Sequence, residues 1–388
     1  MKKSLLAMAV AAVAVAATSA ASAATVYDKD GTSLAVYGRI QGVVYSHSTG
    51  MGKTGNSYND TGLQGTGRLG FDMRTQLTDG IAAFAKAEWE MADSGEGRGG
   101  SKGDDDSFKS RYLWVGADFG VYGQLKAGKF EDAVKYVLLP TDIFDDFGCN
   151  GQLDNDDKRD GMFMYTWNGY GFTANVSYQT AKDSQLVDGA WLAGAGESLD
   201  INNAYAVSVG YQSPDVLFGP IGVRLGYAHT DFQDDVIDLK NATDAATPTL
   251  SYDDYDQFAA SLYWGSLNVG PYVGALYQFR DFGMRAGVED YKVQGAEFVV
   301  AYGFENGVSL RAGYNWMNFD QDQGADVDAH TIPVIAMYNV TPNFRLWAEA
   351  RFDAGTDDDK GVNGKNFKSA TTVDFEENVY SVGARYTF

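Results

Sequence analysis

The stretch RLGFDMRTQL, residues 68–77, puts Arg68, Gly70, Asp72, Arg74 and Gln76 in one phase and Leu69, Phe71, Met73, Thr75 and Leu77 in the other. Successive side chains of a β-strand point to opposite faces, so a strand here carries one charged face and one apolar face. GFTANVSYQT (171–180) and NFRLWAEARFD (343–353) repeat the pattern. Sixteen such segments run from Ser33 to Phe388, over 34–45, 66–77, 81–91, 108–118, 122–129, 159–168, 171–180, 203–212, 221–230, 256–264, 267–279, 293–304, 308–317, 330–339, 343–353 and 378–388. A tilted strand needs about 9–11 residues to cross a bilayer, and most of these are long enough.

The connections alternate as regularly as the strands do. TDG (78–80), NGYG (168–171), GS (265–266), ENG (305–307) and TPN (341–343) are tight turns, and long segments such as 46–65, 92–107, 130–158 and 181–202 lie between them. Short at one end and long at the other describes an up-and-down meander with unlike ends, as in outer-membrane barrels. A soluble sandwich would have to fill one core with sixteen apolar faces and has no reason for that asymmetry. In lipid each unpaired backbone group costs several kcal/mol, so a spanning sheet must close. At sixteen strands the lumen is wide enough for water. The expected fold is therefore all-β, a 16-stranded antiparallel transmembrane β-barrel. Tyr170, Phe172, Trp264, Phe304, Phe344 and Phe388 near the short turns, with Tyr178, Tyr227, Trp316 and Phe352 near the long loops, suggest two aromatic girdles.

The N-terminus reads as an export signal. Lys2 and Lys3 precede an apolar run from Leu5 to about Ala17, and Ala21-Ser22-Ala23 supplies the small-residue cleavage site. Residues 1–23 are expected to be removed, leaving a barrel over 24–388. Loss of Lys2 and Lys3 takes the formal charge from −22 to −24, which argues against a nucleic-acid partner. A single cysteine, Cys149, allows no intrachain disulfide.

GMGKTG (50–55) lacks the first glycine of a phosphate loop, and Lys158 and Trp167 spoil DNDDKRDG (154–161) as a calcium loop. His47, His229 and His330 are never spaced for a metal. No enzyme and no cofactor is expected, and Cys149 reads as a bystander thiol.

Over its full mature length the chain resembles the general diffusion porins of Gram-negative outer membranes. The start ATVYDKDGTSLAVYGR and the end VYSVGARYTF, closing on Phe388, carry the likeness at the two ends. In the third long segment, Asp145-Asp146-Phe147-Gly148-Cys149 matches a family motif Pro-Glu-Phe-Gly-Gly, departing at the proline and at the last glycine. The resemblance implies that residues 141–159 fold into the lumen. Asp142 and Asp146 would then face a basic cluster at Arg39, Arg68, Arg111 and Arg159 across a constriction. The pattern itself supports Arg39 and Arg68, which lie on polar faces, whereas alternation is blurred at Arg111 and Arg159. Asp154, Asp156 and Asp157 fit a solvated return of the loop.

The same resemblance implies a homotrimer, with Glu96 in the second loop as a latch. It also implies contact with outer-membrane lipid and lipopolysaccharide, and reading of Phe388 by the barrel-assembly machinery. The expected function is passive, modestly cation-selective diffusion of small hydrophilic solutes and ions. A substrate-specific sugar channel is the alternative, with Tyr263, Tyr272 and Trp347 as inward aromatics.

Overall fold

A computed structural model describes residues 23–46, 61–92, 107–153, 158–192, 198–233, 237–238, 249–285, 288–321, 326–357, 361–362, 365–366, 373 and 375–388. Almost all of the export signal, Glu96, His47, and Asp154, Asp156 and Asp157 lie outside the described residues.

Sixteen strands form the wall. In chain order they are β1 (Thr32–Tyr45), β2 (Gly62–Thr78), β3 (Ile81–Ala92), β4 (Ser107–Asp118), β5 (Gln124–Phe130), β6 (Arg159–Gly169), β7 (Phe172–Gln179) and β8 (Ser198–Val216). They continue as β9 (Gly219–Phe232), β10 (Tyr252–Gly265), β11 (Gly270–Met284), β12 (Tyr291–Gly303), β13 (Val308–Asp320), β14 (Asp326–Thr341), β15 (Phe344–Asp353) and β16 (Val379–Thr387). Each pairs antiparallel with the next, and β16 returns to β1 with Arg39 opposite Thr387 and Tyr45 opposite Ser381. The sheet is thus a closed barrel without an open edge, which a lipid environment demands. Two short strands add to it: Ala24–Lys29 pairs with the start of β1, and Lys182–Leu186 with the start of β8.

Every expected segment coincides with one wall strand. The main differences are at the long-loop ends, where strands run past the bilayer-length core: β8 holds 19 residues and β2 holds 17. Beyond the apolar band the outer face no longer has to alternate, so periodicity understates the ends.

Burial is inverted relative to a water-soluble domain. Phe163, Tyr165, Val176, Val207, Val209 and Leu225 are exposed on the outer face, while Asn175, Ser177, Ser208, Arg224 and Gln257 are buried on the enclosed one. An outer apolar band is favourable against acyl chains and unfavourable against water. Tight turns sit at the opposite end from the long loops. The β6–β7 turn has both Tyr170 (φ 55°) and Gly171 (φ 84°) left-handed, the twist-compatible two-residue hairpin, and Tyr170 is 94% exposed at that rim.

The chain terminus completes the seam. Phe388 N–H donates to Gly38 O at 2.9 Å and Gly38 N–H to Phe388 O at 2.8 Å. A Cβ at Gly38 would lie 2.5 Å from Arg68 O and 2.7 Å from the Phe388 ring, so only glycine fits this join.

Candidate functional site

After β5 the chain enters a long segment whose described part, 131–153, contains one short helix, α1 (Lys135–Leu138). Phe130, Val134, Val137 and Leu138 pack on Ala206, Ala228, Ala259 and Leu276, inward-phase residues of β8–β11. Further on, Tyr272 donates to Pro140 O at 2.7 Å, and Ile143 packs with Tyr263, Tyr272 and Val299. Phe147 then reaches Val43, Tyr45, Ile335, Met337 and Trp347 on β1, β14 and β15. The segment therefore lies along the enclosed face of most of the wall. Inward glycines leave room for it: a Cβ at Gly210 would strike Tyr136, one at Gly274 would approach Pro140, and one at Gly295 would collide with Gly151.

Two wall carboxylates fasten the turn of the segment. Glu349 accepts from the backbone N–H groups of Asp145, Asp146 and Phe147 at 3.0, 2.9 and 2.6 Å. Glu297 accepts from Gly151 N–H at 3.0 Å and from Gln152 Nε2 at 2.8 Å. A hydrogen bond contributes about 0.5–1.5 kcal/mol net, so five of them add materially to the packing that seats the loop.

The acidic residues of the segment divide their roles. Asp145 pairs with Arg385 at 2.7 Å and Arg345 at 3.1 Å. Burial alone would raise its carboxyl, but the Arg385 and Arg345 guanidiniums outweigh it and hold it below the usual range. Asp146 instead accepts from Trp347 Nε1 at 2.8 Å, Ser381 Oγ at 2.6 Å and Tyr45 OH at 3.1 Å. Asp142 pairs with Lys135 at 3.0 Å and accepts from Cys149 Sγ at 3.3 Å. Burial would lower the Lys135 ammonium, yet the Asp142 carboxylate raises it. At Cys149, burial together with the Asp142 and Glu297 carboxylates pushes the thiol well above its ordinary value.

The basic residues divide as well. Arg39 lies opposite Arg68 in the β1–β2 register and within the field of Arg385, Glu90 and Arg111. Arg68 pairs with Glu90 at 3.0 Å, and Arg111 bridges Glu88 at 2.9 Å and Glu90 at 2.8 Å. A β-bulge explains the blurred alternation at Arg111: Glu88 is opposite Tyr112 and Trp89 opposite Ser110, so Arg111 is the extra residue and joins the inward set. Arg159 stands apart, 2% exposed beneath the start of the loop, donating to Tyr255 OH at 2.9 Å and near Asp132 at 3.9 Å.

Arg39, Arg68 and Arg111 thus lie in one charged cluster, and Glu88, Glu90, Asp145, Arg345 and Arg385, which were not among the expected constriction residues, join it. Each of these sits in the polar phase of its strand or within the loop motif, but phase alone does not say which inward charges meet. The inward aromatics are committed elsewhere. Trp347 is covered by the loop and bonded to Asp146, and Tyr263 and Tyr272 stack at 6.1 Å under Ile143. From Pro140 to Gln152 the loop's contacts with the wall run along β10–β16 and β1. The enclosed face of β2–β4 carries Arg68, Arg111, Glu88, Glu90, Lys86 and the more exposed Asp72 and Arg74.

A closed sheet with its polar face enclosed and its apolar face outward is the architecture of a membrane-spanning β-barrel. The chain belongs to the Gram-negative porin family, whose sequence pattern matches residues 9–360. It is similar to the outer membrane porin PhoE of Enterobacter cloacae, 26% identical with 100% of each chain covered. It is also similar to outer membrane protein Omp-EA of Erwinia amylovora, 24% identical with 93% of this chain and 96% of that one covered. Among solved structures, the barrel of Salmonella typhi OmpF in complex with daunomycin superposes with a TM-score of 0.70 at 18% identity, covering 94% of this chain and all of that one. The anion-selective porin from Comamonas acidovorans gives 0.64 at 18% identity, with 92% and 100% covered.

Proposed function

We propose that the protein is a homotrimeric porin of the outer membrane, exported with cleavage after Ala23, through which small hydrophilic solutes and ions diffuse passively. The observation that carries this reading is a closed barrel whose enclosed face bears a charged strip on β1–β4, with the segment 131–153 seated on the opposite side of that face. Solutes would pass between the strip and the loop. Arg39, Arg68 and Arg111 form the basic side of that constriction, and Arg345 and Arg385 hold Asp145 on the loop side. Asp142 and Asp145 supply the acidic side, Asp146 anchors the loop, and Arg159 supports its start.

Glu88 and Glu90 compensate the arginines, and the chain as a whole is acidic. We therefore assign a modest preference for cations, set by the field of fixed charges between low-dielectric walls. An anion-selective relative on the same fold means that selectivity has to be read from each chain's own charges. Copies pack through part of the apolar outer face, with lipid and lipopolysaccharide around the remainder. Glu96 is the proposed latch between copies, and Phe388 the residue recognised during barrel assembly.

Reconstitution tests the reading. Purified protein in planar bilayers should give stepwise, non-saturating conductance, and liposomes should swell at rates that fall steeply with solute size. A closed barrel, or tight saturable block by a single sugar, would overturn it.

A further inference from the structure

We infer that residues 187–192, together with Phe375, form a second size filter at the long-loop mouth, in series with the constriction at 145–149. The inference rests on the channel reading above. It starts from an anomaly in the wall. Lower in the barrel the enclosed face of these strands mixes Gln257, Gln278 and Ser261 with the small Ala206, Ala228 and Ala259 and with Leu276. At the long-loop ends of β8–β14 it turns apolar, with Ile201, Phe232, Phe282, Val293, Phe319 and Val327 all buried in one cluster. Bare apolar wall facing water would cost about 25 cal/mol per Å², so a face of this composition is built to be covered.

The segment after β7 covers it. Val187, Ala190 and Leu192 are buried in that cluster, and Trp191 packs on it with its ring 6.2 Å from Phe319. Leu153, from the return of the constriction loop, and Phe375, ahead of β16, belong to the same cluster. The backbone is pinned at two adjacent carbonyls. Arg280 Nη1 donates to Asp188 O at 2.5 Å and Tyr291 OH to Gly189 O at 2.9 Å. Arg280 is itself stacked 4.2 Å over the Tyr255 ring and donates to Gln257 Oε1 at 2.7 Å. Gly189 has φ +88°, and a Cβ there would press to 3.1 Å from the Phe282 ring, which stacks at 4.7 Å on Tyr291.

One tether is buried and the other partly buried, and the side chains of the segment pack into the apolar cluster, so the segment is a fixed wedge and not a swinging lid. It takes cross-section from the β8–β14 side of the mouth, above the level where Glu349 and Glu297 fasten the constriction loop. Two narrow passages in series add their resistances, and a solute must fit both.

The test compares wild type with Trp191→Ala/Leu192→Ala for single-channel conductance and for liposome swelling with sugars of increasing size. Heat-modifiable electrophoretic mobility reports an intact barrel. Relief of one of two comparable restrictions in series predicts about a twofold rise in conductance and passage of sugars that wild type excludes. If the double variant does not assemble, replacing 187–192 by a glycine-serine linker of equal length carries the same expectation. Folded variants with wild-type conductance and cut-off would overturn the filter alone. A wild-type barrel that does not conduct would overturn the channel reading and the filter with it.

Discussion

Two residues of the constriction loop show what single positions contribute. Cys149 stands where the resembling motif has glycine, and its φ is +63°. A side chain in the left-handed region costs about 1–2 kcal/mol, so Cys149→Gly should raise the thermal midpoint in detergent, provided the weak Sγ bond to Asp142 is worth less than that strain. A lower midpoint would show the thiol bond to dominate. Asp145 makes a pH-dependent contribution whose sign is fixed. Its folded pKa is depressed, so the ion pairs with Arg385 and Arg345 are fully present above the ordinary carboxylate value of about 3.9 and are lost as pH falls through the lower folded value. The difference in reversal potential between wild type and Asp145→Asn should therefore be constant from about pH 5 upward and vanish in strong acid. A difference that changes across neutral pH would mean that another group carries the effect.

At the scale of elements, the strands were legible and the loop path was not. Strand phase is a local property: RLGFDMRTQL discloses its two faces without reference to any partner. Even the loss of phase near Arg111 was informative, since a bulge is what places that residue inward. The path of 131–153 depends instead on contacts more than a hundred residues away, such as Tyr45 to Asp146 and Glu349 to the Asp145–Phe147 backbone. Its trace in the sequence is indirect, namely glycines in the inward phase of successive strands at Gly210, Gly274 and Gly295. The second covering segment, 187–192, left a comparable trace in the apolar inward ends of β8–β14, where aromatics such as Phe282 and Phe319 fit neither a lipid face nor a wet lumen. Fastening by Glu349 gives a direct test. Glu349→Ala strands three buried N–H groups, each costing about 1–3 kcal/mol to leave unpaired. The barrel should still fold, since its ladder is untouched, but single-channel records should become noisy as the loop leaves its seat. Quiet, wild-type records would show that packing of Phe144 and Phe147 suffices.

For the whole molecule, closure and net charge are the governing properties. Closure depends on the β1–β16 seam, where Phe388 exchanges two backbone bonds with Gly38; truncating Phe388 should sharply reduce assembled barrel in the outer-membrane fraction, and normal assembly would remove the role given to that residue. Charge decides selectivity through small energies. A tenfold preference between ions needs only about 1.4 kcal/mol, which a few uncompensated charges in a narrow, low-dielectric passage can supply. Arg68 and Arg111 are held by Glu88 and Glu90, so Glu88→Gln/Glu90→Gln should expose two guanidiniums and move the reversal potential toward anions. Arg39→Ala/Arg68→Ala should move it toward cations and widen the passage. Asp142→Asn should also shift it toward anions by freeing Lys135, whereas Asp146→Asn should act mainly on loop seating, because that carboxylate is buried among Trp347, Ser381 and Tyr45. All of these shifts should shrink between about 0.1 M and 1 M salt, as the screening length falls from about 10 Å to about 3 Å. If neither the glutamate nor the arginine double variant moves the reversal potential at low salt, ions do not pass along β1–β4, and the charged strip is not the permeation path.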